Sequence, residues 1–233
     1  MSDRPHDQLR DVKLEIPYTT ATPGSVLISM GRTKVLCTSS VQEEVPRWMR
    51  DTGKGWITAE YAMLPGSSEE RVRRDHVSGG RAKEISRLIG RSLRAVVDLK
   101  AMGEAMAIVD CDVIEADGGT RTAAITGAWI ALHCAFADAV ERGQIASSPI
   151  IDEFAAVSVG IVDGEPVLDL DYARDVSAEV DMNVVMSGRG LLVEVQGTAE
   201  RAPFTRAELD QLLDLAASGI GELHDLQRRA VAE

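Results

Sequence analysis

A glycine turn that opens onto a helix start is the first feature of the sequence able to hold a ligand. An apolar run ends at Ile114, Gly118-Gly119 turns the chain, and Thr120-Arg121 begins an amphipathic helix. Free N–H groups and the dipole of a first helical turn attract anions. The arginine adds a planar fork suited to phosphate oxygens. These residues predict a phosphate site, with an ordinary strand–helix turn capped by Thr120 as the alternative.

A second arginine stands at a second helix start. Arg81 directly follows Gly79-Gly80, and helical spacing of apolar residues begins a few positions later. Two arginines at two glycine-opened helix starts could converge on one phosphate group.

Carboxylates form the third candidate group. Four acids lie between Asp169 and Glu179, and Asp181 then interrupts an apolar strand pattern. A carboxylate within a strand is costly unless it is paired, hydrogen-bonded or metal-bound. Two neighbouring carboxylates suit Mg²⁺, or they could share a proton so that one serves as a general acid. An acidic surface turn explains the same pattern equally well at this point.

Composition limits the classes of protein that can be considered. The chain has 233 residues and a net charge of −12, but the segment 71–94 carries eight basic residues against Asp75 and Glu84. A basic segment on an acidic chain can bind phosphates locally, although a solvated helix face is the common alternative. The sequence shows no signal-peptide core and no apolar run of membrane-spanning length, so we expect a cytoplasmic protein without a membrane partner. Three scattered cysteines in apolar runs are typical of reduced core residues.

The elements that must position these groups follow from hydrophobic periodicity. Alternating or β-branched runs predict strands, and three apolar stripes at helical spacing predict helices, the last beginning at the capping box Thr205–Glu208. The segment 67–80 has no period and is interpreted as a mobile loop. The chain is predicted to be one compact α+β domain over residues 1–233, with mixed sheets packed against helices. The predicted strands are 12–16, 25–30, 33–38, 56–64, 104–114, 155–162, 166–170, 180–186 and 191–195.

Taken together, the motifs resemble those of the ribonuclease PH family of bacterial phosphorolytic exoribonucleases. The resemblance covers nearly the whole chain from about Gly24 onward. The segments that carry it are 24–27, 33–38, 55–61 with 63–65, 87–95, 110–113, 116–123 with 125–128, 155–160, 181–185 and 194–198.

The resemblance implies roles for the candidate residues. Arg81 with Gly119-Thr120-Arg121 would bind the attacking inorganic phosphate. Asp175 and Asp181 match the acidic pair at the family's catalytic centre, which is associated with Mg²⁺ and proton transfer. RNA would be bound by the basic residues Arg71, Arg73, Arg74, Arg87 and Arg91.

The resemblance also implies an activity and an assembly. Such an enzyme trims the 3′ ends of precursor tRNA and other RNA with phosphate, releases nucleoside diphosphates, and forms a homohexamer built as a trimer of dimers; DNA is not an expected partner. The alternative is a non-catalytic RNA-binding ring subunit of an exosome-like assembly. Two departures from the family pattern concern RNA affinity: the N-terminal segment 4–10 is altered, and the loop 67–78 is short and contains Glu69-Glu70.

Overall fold

The computed structural model describes residues 4–73 and 79–232 as two β-sheets and four helices. A short 3₁₀ helix, Arg47–Met49, lies between the third and fourth strands. The strands are β1 (Val12–Glu15), β2 (Gly24–Met30), β3 (Thr33–Gln42), β4 (Trp56–Met63), β5 (Met106–Glu115), β6 (Phe154–Val162), β7 (Glu165–Leu168), β8 (Val180–Ser187) and β9 (Leu192–Ala199). The helices are α1 (Gly80–Ala95), α2 (Thr120–Glu141), α3 (Tyr172–Ser177) and α4 (Arg206–Ala232).

The first sheet has five strands in the order β1-β2-β3-β5-β4. Its strands are antiparallel except for β4 and β5, which are parallel because the chain returns through α1 between them. Inward residues of β4 alternate with outward ones, so that Ile57, Ala59 and Tyr61 are buried against the helices. The crossover therefore places the start of α1 near the end of β4.

Helix α2 is the central element of the core. It packs against β2, β3 and β5 of the first sheet and against β6 of the second. Gly127 permits this close approach, since a Cβ there would lie 2.8 Å from Cys37 Sγ and from Ile28 Cγ2. The helix is long and apolar enough to meet a membrane-span criterion, but most of it is buried between the sheets, as in the core helix of a soluble protein.

The second sheet has four antiparallel strands in the order β7-β6-β8-β9, with α4 packed against β6 and β7. In β8 the side chains of Val180 and Met182 face the core, whereas Asp181 between them faces the opposite side. The alternation of a strand therefore resolves the apparent conflict of an acid in an apolar run.

The structure confirms the predicted strands and the three long helices within a few residues at their ends, and the α+β class with them. Thr205 and Glu208 form the predicted capping box, with Glu208 N–H donating to Thr205 Oγ1 at 3.2 Å. The sequence does not predict the six-residue helix α3, because fewer than two turns leave no apolar period to detect. Buried residues of the two sheets belong to one hydrophobic cluster. The single domain over residues 1–233 stays a prediction. The loop prediction for 67–80 falls partly outside the described residues.

Candidate active site

The glycine turn before α2 has a backbone that only glycine adopts easily. Gly118 and Gly119 have φ values of 74° and 65°, in the left-handed region. Gly118 also approaches the chain that enters α3, since a Cβ there would lie 2.6 Å from the carbonyl oxygen of Leu170. The turn that begins α2 therefore contacts the segment leading to the helix of Asp175.

Side chains hold the carbonyl groups of this turn on one side. Arg10 Nη1 donates to the carbonyl oxygen of Asp117 at 2.6 Å, and Thr33 Oγ1 donates to that of Gly118 at 2.6 Å. In a trans peptide the C=O and the following N–H point in opposite directions. The N–H groups of Gly118 and Gly119 therefore point away from Arg10, and the first N–H groups of α2 have no partner within the helix. The turn has the properties of an anion site.

Arg10 is itself held by a buried acid. Its Nε and Nη2 donate to the two carboxylate oxygens of Asp169 at 2.9 and 2.7 Å, and its backbone N–H also donates to Asp169. Asp169 is fully buried, and the arginine keeps the pKa of its carboxyl below the ordinary value although burial alone would raise it. Asp169 thus carries a charge that fixes Arg10 in place.

Arg121, in the first turn of α2, connects three elements. Its Nη1 donates to Glu84 Oε1 of α1 at 3.2 Å and to Gln196 Oε1 of β9 at 2.8 Å. Its side chain is 15% exposed, so its charge is only partly screened by water. The neighbouring Thr120 is buried and accepts a hydrogen bond from the hydroxyl of Tyr61 at 2.8 Å.

The structure brings Arg81 and Arg121 into the electrostatic neighbourhood of both predicted acids. The pKa of Asp175 is raised by partial desolvation, while Arg81 and Arg121 act to lower it. The pKa of Asp181 is raised to about 6 by desolvation and by the charge of Asp175, with Arg121 and Arg81 again opposing. Opposite charges affect a carboxyl in this way only at short range. The predicted phosphate and acid residues therefore form one cluster.

Two carboxylates are also the donor set that Mg²⁺ commonly takes from a protein, with water and substrate phosphate completing its shell. Residues 4–73 and 79–232 contain no group of three or more acidic, histidine or cysteine side chains arranged to hold a metal. The pair Asp175 and Asp181 therefore fits an ion that relies on the substrate for further ligands and does not fit an all-protein metal cage.

The predicted RNA-binding arginines lie in two places. Arg71 and Arg73 line a cavity of about 400 Å³ together with Arg81 and Tyr61, next to the predicted phosphate site. Arg87 and Arg91 are exposed farther along α1, the latter about 15 Å from Arg81 along the helix axis by its ten-residue separation. Arg91 pairs with Glu194 Oε2 at 2.8 Å. Arg74 lies outside the described residues.

Several residues of the site have no signal in the sequence. Arg10 and Asp169 are 159 positions apart, and nothing local marks either as a partner of the glycine turn. Glu200 follows β9, and its charge helps to raise the pKa of both Asp175 and Asp181. Gln196 of β9 lies in the matching segment 194–198, but nothing in that segment marks it as a partner of Arg121. Tyr61 was part of a matching segment, but its contact with Thr120 depends on how β4 packs against α2.

Two sheets around a central helix, with two helix-start arginines beside two carboxyls, define an α+β protein that handles phosphate groups. The chain belongs to the 3′ exoribonuclease family, whose domain 1 model matches residues 8–137 and whose domain 2 model matches residues 152–219.

Comparison with individual proteins agrees with this assignment. The chain is 56% identical to ribonuclease PH of Methylorubrum populi and 57% identical to that of Methylobacterium radiotolerans, in each case over 99% of both chains. Its fold is similar to that of rice Rrp46, with a TM-score of 0.78, 18% identity and coverage of 97% of both chains. An Archaeoglobus fulgidus exosome with RNA bound to the active site gives a TM-score of 0.81 at 20% identity, covering 95% of this chain and 90% of that one.

Proposed function

We propose that the chain is a phosphorolytic 3′→5′ exoribonuclease that acts on RNA 3′ ends, including those of precursor tRNA. The observation that supports this most directly is the cluster in which Arg81 and Arg121 share one electrostatic neighbourhood with Asp175 and Asp181. A hydrolytic nuclease would need no second phosphate site beside its acids. The relatives named ribonuclease PH, similar over the whole chain, support the same activity.

The reaction replaces one P–O bond by another. An oxygen of inorganic phosphate attacks the phosphorus of the last phosphodiester, and the bond from that phosphorus to the 3′ oxygen of the preceding nucleotide breaks. The products are RNA shortened by one nucleotide, with a 3′ hydroxyl, and a nucleoside 5′-diphosphate. Such phosphoryl transfer depends on positioning and charge neutralisation more than on covalent catalysis.

The residues of the cluster divide these tasks. Arg81, Arg121, Thr120 and the N–H groups after Gly119 would hold the attacking phosphate and offset its charge. The leaving 3′ oxygen needs a proton, and one acid of the pair would supply it, because partial burial raises the pKa of both Asp175 and Asp181. Arg71 and Arg73, at the adjoining cavity, would contact the RNA backbone.

A magnesium ion belongs to this proposal. Asp175 and Asp181 would hold it, and when bound it would offset negative charge on the scissile phosphate. The retention of both acids and of the phosphate-binding residues argues against a non-catalytic RNA-binding subunit, which would need neither.

We also propose that the protein is cytoplasmic and works as a homohexamer, a trimer of dimers. Exposed apolar side chains at the end of the second sheet, Leu191, Leu192 and Val195, support self-association, since β9 is an edge strand. The similarity to an archaeal exosome core supports a multisubunit arrangement. Light scattering coupled to gel filtration would give the mass of the assembly.

The activity can be tested with a 5′-labelled precursor tRNA that carries a 3′ extension. We expect shortening of the RNA and release of nucleoside diphosphates only when phosphate and Mg²⁺ are added. Asp181→Asn should lose turnover by at least about 100-fold, the usual contribution of a general acid, while it still binds the RNA. Release of nucleoside monophosphates without phosphate would show that the enzyme is hydrolytic.

A further inference from the structure

Tyr61 contacts both helices whose first turns carry the predicted phosphate ligands. Its hydroxyl donates to Thr120 Oγ1 of α2 at 2.8 Å, and its backbone N–H donates to Ser86 Oγ of α1 at 2.9 Å. Its side chain is buried beneath the site at 2% exposure. Tyr61 is therefore placed to determine how the two helix starts meet.

The hydrogen bond to Thr120 also determines where the threonine's own proton can go. A threonine hydroxyl has one proton to donate and lone pairs to accept with. Within the described residues Thr120 Oγ1 accepts from Tyr61 and donates to no protein group. Burial raises the pKa of Tyr61, so that it remains protonated and stays a donor. The proton of Thr120 is then left for a ligand at the start of α2.

We infer that Tyr61 is a positioning residue for phosphate: by donating to Thr120, it directs the threonine hydroxyl to donate to the attacking phosphate. This inference rests on the proposed phosphorolytic function and deepens it, because it concerns affinity for inorganic phosphate and not for RNA. Tyr61 itself need not touch either substrate. Its removal would leave Thr120 free to rotate and to donate elsewhere.

Tyr61→Phe removes the hydroxyl with almost no change in shape. We expect the KM for phosphate to rise about 3- to 10-fold, which corresponds to the net value of one hydrogen bond. The turnover number at saturating phosphate and the KM for RNA should change by less than about twofold. Tyr18→Phe is the matched control, because Tyr18 is 45% exposed and lies outside the site; it should leave all three constants unchanged.

A double-mutant cycle separates positioning through Thr120 from a general structural effect. Thr120→Val should raise the phosphate KM on its own, and adding Tyr61→Phe should raise it little further, because the hydroxyl on which Tyr61 acts is gone. Thr120→Ser keeps the hydroxyl and should retain the sensitivity to Tyr61→Phe. Fully additive effects of Tyr61→Phe and Thr120→Val would overturn the inference.

The outcomes also distinguish this inference from the proposed function. If the wild-type enzyme releases diphosphates only with phosphate, but Tyr61→Phe leaves the phosphate KM unchanged, the inference alone is wrong. If the wild-type enzyme shortens RNA at the same rate with and without phosphate, the proposed function is wrong, and the inference that rests on it is wrong as well. Should Tyr61→Phe fail to fold, ¹⁹F NMR of wild-type protein labelled with fluorotyrosine remains decisive. The Tyr61 resonance should shift on addition of inorganic phosphate, and an unmoved resonance under saturation would overturn the inference.

Discussion

Arg10 and Asp169 form a buried, bidentate ion pair that joins the N-terminal segment to the chain after the last residue of β7. The pair lies beside the glycine turn that precedes α2. The contacts are 2.9 Å from Nε to Oδ2 and 2.7 Å from Nη2 to Oδ1. The same guanidinium donates to the carbonyl oxygen of Asp117, the residue that directly precedes the glycine turn of the predicted phosphate site. One ion pair thus links the turn that begins α2 to the chain that leads into α3.

This relationship predicts a combined loss of stability and phosphate affinity. Asp169→Asn leaves Arg10 buried beside a neutral amide, and we expect a loss of about 3–5 kcal/mol in the free energy of unfolding, as for other broken buried pairs. The phosphate KM should rise as the turn loosens. Urea unfolding and steady-state kinetics would measure the two effects. Asp210→Asn, in the exposed Arg206–Asp210 pair, is the control and should change neither the free energy of unfolding nor the phosphate KM. An unchanged phosphate KM in Asp169→Asn would contradict the role given to Arg10.

The two helix-start arginines give a second prediction. Arg81→Ala and Arg121→Ala should each raise the phosphate KM at least about tenfold, because a hydrogen bond to a charged group is worth about 1.5–3 kcal/mol. Arg121→Lys should recover only part of the loss, since an ammonium group lacks the planar fork. Phosphate titrations at fixed RNA concentration would measure this. Wild-type phosphate KM in both alanine variants would show that the anion binds elsewhere.

The sequence predicts a site best where the reactive side chains and the backbone that holds them belong to one short segment. Gly118-Gly119 before Thr120-Arg121 requires only a turn and a helix start, and both are visible in the order of residues. The convergence of Arg81 with Asp175 and Asp181 is different, because it depends on how two helices and β8 are packed. Only the resemblance to a known family pointed to it, and the residue roles that this resemblance implies stay predictions.

The supporting residues could not be predicted because their partners are remote in sequence. Asp169 looks like one more acid of an acidic turn, yet it is fully buried and charged because Arg10 meets it. The altered N-terminal segment, a departure from the family pattern, lies against the second sheet, with His6 O accepting from Leu168 N–H at 2.7 Å. Helix α3, which carries Asp175, is too short for periodicity to reveal.

A third prediction concerns the arginines that line the cavity beside Arg81. Arg71→Ala and Arg73→Ala should each weaken RNA binding and reduce the steepness with which affinity falls as salt rises, by about one unit of log–log slope for each lost phosphate contact. The phosphate KM should stay constant. Fluorescence anisotropy with labelled RNA over a salt series would measure both slope and affinity. The matched control is Arg142→Ala, at the far end of α2 from Thr120; if it reduces the slope equally, the effect reflects net charge and not a contact.

A fourth prediction follows from the raised pKa of Asp181. A carboxyl with a pKa of about 6 is neutral below that pH and charged above it. Its negative charge opposes an anion beside Arg121, so in the presence of EDTA the affinity for an anion should increase as pH falls through about 6.

Sulfate is the appropriate probe, because it keeps both negative charges over this range whereas phosphate changes its own charge near neutrality. We expect sulfate to bind about sevenfold more tightly at pH 5 than at pH 7.5, which corresponds to a rise of one unit in the pKa of the Asp181 carboxyl when the anion binds. Asp181→Asn, which is neutral throughout, should bind sulfate tightly at both pH values. Isothermal titration calorimetry would measure the four affinities. If the variant keeps the wild-type pH dependence, another group titrates and Asp181 does not face the anion.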